Sequence, residues 1–250
     1  MGQLDNKTAI VTGSSRGIGA DVAKILAGEG AAVVVNYRQK APRANKVVQG
    51  IEADGGRAVA VGADLTTQEG VQALASAAME NFGSLDILVL NASGGMETGM
   101  GEDYALKLNR DAQLNMLNAA VPLMQEGSRV VFVTSHQAHF INTVPTMPAY
   151  EAVARSKRAG EDALRELIPN LAEKGISLVV VSGDMIEGTV TATLLDRSTP
   201  GAIEARRAEA GKLYSVEEFA QVVAGMATAD VESGHTEYAG GADYFGKSGQ

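Results

Sequence analysis

A glycine-rich turn close to the N-terminus has the composition of a phosphate-binding loop. Residues 12–19 read Thr-Gly-Ser-Ser-Arg-Gly-Ile-Gly, and the glycines are spaced as G-x-x-x-G-x-G. Glycines let the backbone approach an anion closely, and the free N–H groups at the start of a following helix point toward it. A plain strand-to-helix turn is the alternative interpretation. The residues predicted to surround the anion are Gly13, Ser15, Arg16, Gly17, Ile18 and Gly19.

Two arginines favour a cofactor that carries an additional phosphate. The second predicted strand, residues 31–36, is followed by Tyr37 and Arg38, and no acidic residue stands at its end. In dinucleotide-binding folds an acid at this position accepts a hydrogen bond from the ribose 2′-OH of NAD, whereas an arginine accommodates the 2′-phosphate of NADP. Arg38 and Arg16 together therefore predict NADP(H), because two guanidinium groups suit a phosphate monoester. Two solvated surface arginines are the alternative.

Alternating apolar runs and helical patterns must position these groups. Strands are predicted at residues 9–11, 31–36, 58–62, 85–90, 129–135, 176–181 and 235–239. Helices are predicted directly after the glycine turn, at 43–53, up to about residue 82, and at 102–125, 149–173 and 215–229, the last with a capping box formed by Ser215 and Glu218. This alternation predicts an α/β fold with a doubly wound parallel sheet of about seven strands and helices on both faces.

Polar residues stand where the predicted strands end, which is the sheet edge at which ligands bind in open α/β folds. Ser135 ends the fifth strand. Asp64 follows the third strand and either meets an adenine ring or caps the next helix, where Thr66 and Thr67 compete for that role. Asn109 lies among apolar positions of a helix, as either a satisfied core amide or a working group.

Composition limits the function classes. The 250 residues have 45% hydrophobic content, enough for the core of a single domain over residues 1–250. The net charge of −9 argues against a nucleic-acid or membrane-surface role, because both require a basic face. There is no cysteine, so no thiolate metal site is available, and we expect no bound metal. Without a predicted signal peptide or a membrane-spanning run, a cytoplasmic protein is expected.

The chain resembles a short-chain dehydrogenase/reductase along nearly its whole length. The motifs that carry the resemblance are the turn at 12–19, Asp64-Leu65, Asn91-Ala92-Ser93-Gly94, Asn109, Ser135 and the glycine pair Gly240-Gly241. The resemblance implies a Rossmann domain, a small-molecule carbonyl substrate and a homo-oligomer, dimeric or tetrameric. It also implies cofactor contacts by Tyr37, Arg38, Asp64, Leu65, Asn91, Ala92, Ser93, Lys157, Gly183, Ile186 and Thr189.

The same resemblance implies a catalytic arrangement. Ser135 would hold the substrate carbonyl oxygen, and a tyrosine hydroxyl would give that oxygen its proton. Lys157 would lower the pKa of the tyrosine and bind the ribose, and Asn109 would hold a water that links the lysine to solvent. The nicotinamide would carry the hydride.

The tyrosine departs from the family's Tyr-x-x-x-Lys pattern. When the helix is aligned on Lys157, Val153 takes the tyrosine position, and Tyr150 stands one turn earlier. On a regular helix Tyr150 would lie about 10 Å along the axis from Lys157, against about 6 Å for the usual spacing. Either the helix start is distorted so that Tyr150 reaches the site, or the acid is a water, His136 or a substrate hydroxyl. We predict Tyr150.

Two other departures concern the shape of the site. Gly183-Asp184 replaces the family's Pro-Gly, while Ile186 and Thr189 match positions that contact the nicotinamide and the diphosphate, so Asp184 is expected to bring an additional carboxylate near the site. The connection from 91 to 109 is short, which suggests an open cleft. Residues 189–211 are polar and weakly periodic, and are predicted to form a mobile lid over the substrate.

Two functional hypotheses follow. The first is an NADPH-dependent carbonyl reductase, acting on a 3-oxoacyl thioester or on a ketone of a bulky secondary metabolite such as an aromatic polyketide. The open cleft and the methionine-containing loop at 94–100 favour the bulky ketone. The second is an NADP-binding sensor or regulatory module that has lost the tyrosine and with it hydride chemistry.

Overall fold

One parallel sheet organises the protein, as seen in a computed structural model that describes residues 2–96, 99, 101 and 103–244. The strands are β1 (Thr8–Val11), β2 (Ala32–Tyr37), β3 (Arg57–Gly62), β4 (Leu85–Leu90), β5 (Met124–Ser135), β6 (Ser177–Gly183) and β7 (Thr236–Ala239). Across the described residues their order is β3-β2-β1-β4-β5-β6-β7, and every neighbouring pair is parallel. The predicted α/β fold class is confirmed.

Helices cover both faces of this sheet. They are α1 (Gly17–Gly28), α2 (Ala41–Ala53), α3 (Gln68–Phe82), α4 (Tyr104–Leu106), α5 (Ala112–Ala120), α6 (His136–His139), α7 (Glu151–Glu166), α8 (Ile168–Ala172), α9 (Val190–Ser198), α10 (Ala202–Ala210) and α11 (Val216–Gly225). A π-helical turn, Lys107–Asp111, joins α4 to α5, and 3₁₀ turns lie at Val121–Leu123 and Pro148–Tyr150. The capping box predicted at Ser215 and Glu218 is present at the start of α11.

The core lies in two layers, one on each side of the sheet. Successive residues of a strand point to opposite faces, so Val11 and Val33 pack under one layer of helices while Ile10 and Val34 pack under the other. All six residues of β4 are buried, as expected of a central parallel strand covered on both faces. Because the strands are parallel, their carboxyl ends lie along one edge of the sheet, which the helices on the two faces leave open.

The prediction for residues 102–125 is corrected at its end. Helical structure stops at Leu123, and β5 begins at Met124, well before the predicted start at Arg129. Leu85 pairs with Met124 while Ile87 pairs with Arg129, so the residues between form an irregularity in the strand, where Gly127 has a φ of 84°. The predicted first residue of that helix, Glu102, lies outside the described residues.

Three other predicted segments differ in detail. The helix predicted at 149–173 is divided into a 3₁₀ turn, α7 and α8, with Pro169 at the start of α8, where a missing N–H is tolerated. The loop predicted after Ser135 contains α6. The segment at 189–211 is not irregular but contains α9 and α10. Among the described helices, none is both long and apolar enough to cross a membrane.

Candidate active site

A cavity of about 590 Å³ opens at the carboxyl edge of the sheet. It brings together every site residue predicted from the sequence except Asn109. The predicted residues that line it are Gly13, Ser15, Arg16, Gly17, Ile18, Gly19, Tyr37, Arg38, Asp64, Leu65, Asn91, Ala92, Ser93, Ser135, Tyr150, Lys157, Gly183, Ile186 and Thr189. Residues distant in sequence meet here because the ends of β1, β2, β4, β5 and β6 share this edge.

The glycine turn needs glycine for its backbone conformation at Gly13 and Gly17 and for space at Gly19. Gly13 and Gly17 have φ values of 63° and 57°, in the left-handed region that favours glycine. A Cβ on Gly19 would lie 2.6 Å from the Asn91 side-chain nitrogen and 2.7 Å from the Gly13 carbonyl oxygen. A Cβ on Gly17 would meet nothing within 4 Å, so space remains open in front of the α1 N-terminus, where an anion fits.

Two asparagines fix the shape of this turn. The Asn36 side-chain oxygen accepts a hydrogen bond from the Gly13 N–H at 3.0 Å. The Asn91 Nδ2 donates to the carbonyl oxygen of Thr12 at 2.9 Å. Asn91 was predicted as a cofactor contact, and it lines the cavity while its amide nitrogen holds the turn. Asn36 was not predicted as a site residue, because the sequence shows only that it is a polar residue at the end of a predicted strand.

The two predicted phosphate-binding arginines both reach the cavity. Arg16 immediately precedes α1 and is exposed. The Arg38 Nη1 donates a hydrogen bond to the hydroxyl of Tyr104, and the Arg38 guanidinium lies 5.6 Å from the centre of the Tyr104 ring. Tyr104 therefore holds Arg38 at the cavity wall. No sequence pattern marked Tyr104 for this role.

Of the two alternatives for Asp64, the helix cap is excluded, and contact with an adenine ring stays a prediction. Its Oδ1 accepts hydrogen bonds from the backbone N–H and the hydroxyl of Thr66, at 2.9 and 2.7 Å. The cap of α3 is Thr67, whose hydroxyl oxygen accepts from the Gly70 N–H at 3.1 Å. Asp64 is consequently ordered beside the cavity without capping the helix.

Tyr150 and Ser135 form the centre of the arrangement. The Tyr150 hydroxyl lies 3.4 Å from the Ser135 Oγ, and both residues line the cavity. Tyr150 is buried, and burial raises its pKa against the lowering effect of the hydrogen bond with Ser135, so the pKa is raised where the family pattern implies that Lys157 lowers it. The Ser135 Oγ also accepts from the Ala138 N–H at 3.3 Å, because Ser135 caps α6.

Lys157 is the buried cation of the cavity. It lies on α7, is 8% exposed and lines the same space as Tyr150. Burial lowers the pKa of Lys157 to about 8, while the charge of Glu161 acts in the opposite direction. The ammonium group is therefore mostly protonated at neutral pH, although the site disfavours it.

Asn109 does not line the cavity. Its Nδ2 donates to the Gly94 carbonyl at 2.8 Å and to the Ser156 Oγ at 2.9 Å, and its Oδ1 accepts from the Gly94 N–H at 3.2 Å. Both side-chain N–H donors are thus committed to tying the segment after β4 to α7. A Cβ on Gly160 would lie 2.1 Å from the Asn109 carbonyl oxygen, so this close approach requires glycine.

His136 is also absent from the cavity wall. It is fully buried, and its Nε2 donates to the Gly240 carbonyl at 2.9 Å while its Nδ1 accepts from the Ser182 hydroxyl at 2.8 Å. Burial lowers the pKa of His136. The geometry does not support His136 as the alternative proton donor.

Comparison with known proteins decides the family. The model of the short chain dehydrogenase family matches residues 7–198. The chain belongs to this family. It is 32% identical over 205 residues to versicolorin reductase 1 of Dothistroma septosporum, a match that covers 80% of this chain and 76% of the relative.

Two solved structures have a similar fold. The angucycline C-6 ketoreductase LanV with bound NADP is 29% identical, with a TM-score of 0.78 and coverage of 95% of each chain. A 7α-hydroxysteroid dehydrogenase complexed with NADH and 7-oxo glycochenodeoxycholic acid is 28% identical, with a TM-score of 0.84 and coverage of 96% of this chain and 94% of that one. The present protein is accordingly an oxidoreductase.

Asp184 was predicted to bring an additional carboxylate near the site. Its negative charge is balanced by an ion pair with Arg206. The Arg206 Nε lies 2.8 and 3.0 Å from its two carboxylate oxygens. Arg206, on α10, also donates to both carboxylate oxygens of Asp243, at 2.8 and 2.6 Å. No sequence pattern pointed to Arg206, because its partners lie 22 and 37 residues away.

In the segment at 189–211, the start of α9 lines the cavity, whereas no residue of α10 does. Thr189 caps α9 by accepting from the Ala192 N–H at 3.1 Å. Leu195 of α9 is buried and packs in one cluster with Tyr150, Val153 and Met185. The loop at 94–100 is described only at residues 94–96 and 99, and Met96 packs against this cluster, whereas Met100 lies outside the described residues.

Proposed function

We propose that this short-chain dehydrogenase reduces an uncharged ketone with NADPH, using Tyr150 as the proton donor. The observation that carries the proposal is the 3.4 Å approach of the Tyr150 hydroxyl to the Ser135 Oγ at the wall of the cavity that Lys157 also lines. A tyrosine hydroxyl is able to supply the proton that a reduced carbonyl oxygen needs. Val153, in the usual position of the tyrosine, has no proton to give.

The cavity fits the cofactor NADP(H). The open N-terminus of α1 suits the diphosphate, and Arg16 and Arg38 suit a 2′-phosphate. Because one similar structure contains NADP and another NADH, the fold accepts either cofactor, and the two arginines carry the preference. When bound, the nicotinamide supplies the hydride.

The protein's own side chains would manage the proton. The Ser135 hydroxyl is placed to hold the substrate oxygen beside the Tyr150 hydroxyl. Tyr150 is protonated at neutral pH because burial raises its pKa, so it enters the reaction as an acid. The positive charge of Lys157 would stabilise the tyrosinate that is left after the proton has moved.

The described wall around Tyr150 favours an uncharged, apolar substrate. The residues that line the cavity include Gln137, Met185, Val190, Thr191 and Leu195, of which Met185 and Leu195 pack in one cluster with Tyr150. None of these five is charged, and the nearby carboxylate of Asp184 is paired with Arg206. This wall suits a bulky ketone better than an acyl thioester on a phosphate-bearing carrier. The names of versicolorin reductase and of the angucycline ketoreductase are in line with that preference.

Turnover measured by NADPH absorbance, over a panel of ketones, tests the proposal. The panel contains polycyclic aromatic ketones, steroid ketones and a 3-oxoacyl thioester. We expect oxidation of NADPH with at least one neutral polycyclic ketone and a lower kcat/KM for the thioester. Tight NADPH binding without turnover of any ketone would contradict the proposal and favour an NADP-binding sensor, for which Val153 at the tyrosine position is the supporting observation.

A further inference from the structure

A buried carboxylate lies one helical turn beyond Lys157. Glu161 is 0% exposed, although ionisable side chains are seldom fully buried. Lys157 and Glu161 are separated by four residues on α7, a spacing that places both on the same face of the helix. An acid and a base so arranged interact more strongly in the interior than in water, because the surrounding dielectric constant is low.

One oxygen of this carboxylate is fully engaged and the other is not. The Oε1 accepts from the His139 Nδ1 at 2.8 Å and from the Arg165 Nε at 2.9 Å, and the Arg158 guanidinium lies 3.8 Å away. The Oε2 is buried and has no hydrogen-bond partner in the described part of the chain. A buried carboxylate oxygen without a hydrogen-bond partner destabilises the folded state. The presence of Glu161 at this position therefore requires an electrostatic explanation.

Glu161 is ionised despite its burial. Burial acts to raise its pKa, but the hydrogen bond and charge of His139, with Arg165, together hold the pKa of Glu161 below its ordinary value. The groups in contact with this carboxylate are His139 on α6 and Arg158 and Arg165 on α7, whereas Lys157 lies one turn earlier on α7, beyond ion-pair distance. On β7, the Tyr238 hydroxyl lies 2.9 Å from the His139 Nε2.

The Lys157 ammonium group has no carboxylate in direct contact among the described residues, so its charged form depends on the negative charge of Glu161. Within the described ranges the Lys157 ammonium makes no hydrogen bond and no ion pair, so no carboxylate contacts it directly. Burial disfavours its charged form, and Glu161 is the group whose charge opposes that effect. The catalytic arrangement above needs the charged form of Lys157.

We propose that Glu161 is a positioning residue for the reductase: its buried carboxylate, held by His139, keeps Lys157 protonated while Tyr150 gives up its proton. The inference rests on the proposed function only for its catalytic consequence. The electrostatic part of the inference, that Glu161 favours the charged form of Lys157, does not depend on the proposed function. A purely structural role, tying α6, α7 and β7 together, would change the stability of the fold without changing the titration of Lys157.

Titration of Lys157 by NMR in protein labelled with ε-¹³C-lysine tests the inference, with Lys157→Met used to assign the signal. In Glu161→Gln we expect the midpoint to fall by about one pH unit, because an opposite charge nearby favours the charged form. Glu161→Asp keeps the charge at a longer distance, so a smaller fall is expected, and this variant decides the question if Glu161→Gln does not fold. The matched control is Asp162→Asn, a half-exposed acid on the same helix, which should leave the midpoint unchanged.

The outcome separates this inference from the proposed function. A lowered midpoint supports it even if no ketone is reduced, in which case only the proposed function fails. If ketones are reduced, the alkaline fall of kcat/KM in Glu161→Gln should move to lower pH by the same amount as the lysine signal. An unchanged Lys157 midpoint in folded Glu161→Gln, or in Glu161→Asp where Glu161→Gln does not fold, would overturn the inference, whatever the activity.

Discussion

Tyr150 reaches the cavity from a turn that does not belong to the helix carrying Lys157. It ends the 3₁₀ turn Pro148–Tyr150 and immediately precedes α7, so the periodicity of α7 does not set its direction. The segment before it is held by Gln137, whose side-chain oxygen accepts from the Met147 N–H at 2.9 Å. An irregular start was predictable from Pro148, but its direction was not, because it depends on this contact with α6.

The preference for NADPH over NADH is predicted to depend on individual arginine side chains, of which Arg38 is one. In Arg38→Ala, one charge-assisted contact to the 2′-phosphate is lost, which costs about 1.5–3 kcal/mol and therefore about tenfold or more in affinity. We expect the NADPH dissociation constant to rise by that factor while the NADH constant stays nearly the same, as measured by fluorescence titration. Arg43→Ala, at an exposed position of α2 outside the cavity, is the control. A preference for NADPH that is unchanged in Arg38→Ala, or a wild type that prefers NADH, would contradict the assignment.

At the scale of elements, α10 is anchored by one arginine to two separate parts of the chain. Arg206 is 11% exposed at its side chain and pairs with Asp184 after β6 and with Asp243 after β7. Its guanidinium also lies 4.8 Å from the centre of the Tyr244 ring. This anchor joins the proposed lid to the cavity wall, since Asp184 lines the cavity.

Removing the anchor should loosen the lid. Arg206→Met removes the ion-pair partner of the buried Asp184 carboxylate, and breaking such a pair costs about 3 kcal/mol in the free energy of unfolding. Hydrogen exchange should show faster exchange throughout α10 in this variant. Arg197→Met, at an exposed position of α9, should change the stability by less than about 0.5 kcal/mol. The anchor has no such role if the two variants exchange alike.

The elements also show which parts of the fold a sequence determines locally. β4 was predicted with its observed bounds, because a short apolar run buried on both faces needs no tertiary information. The start of β5 was predicted too late, since the polar residues at 125–128 sit in a strand irregularity that only pairing with β4 specifies. The helices α9 and α10 were missed because ion pairs such as that of Arg206 supplement a weak apolar periodicity.

For the whole molecule, the buried His136 predicts a sensitivity to acid. Its ring is fully buried and approaches the rings of Phe140 and Tyr244 edge to face. Burial lowers its pKa in the folded state below the unfolded value, so its contribution to stability is present above about pH 6.5 and is lost as the pH falls through the folded pKa.

Urea unfolding at pH 7.5 and pH 5.5 measures this loss. We expect the free energy of unfolding to fall toward the lower pH by at most about 1.4 kcal/mol per pH unit from His136. In His136→Gln that part of the pH dependence should disappear, although the variant is less stable at both values. In the control His235→Gln, which changes a partly exposed histidine, the dependence should remain. An identical pH dependence in wild type and His136→Gln would refute the assignment.

The glycine turn, the strand ends and the start of α9 line one cavity, and Ser135 and Tyr150 meet at its wall. The central claim is that the Tyr150 hydroxyl supplies the proton in ketone reduction, and the direct test is kcat of Tyr150→Phe with the best ketone of the panel. General acid catalysis by one side chain contributes about 10²–10⁴-fold, so kcat should fall by that factor while the NADPH dissociation constant stays nearly the same. Tyr214→Phe, outside the cavity, should retain normal turnover. Near-normal turnover by Tyr150→Phe would contradict the account.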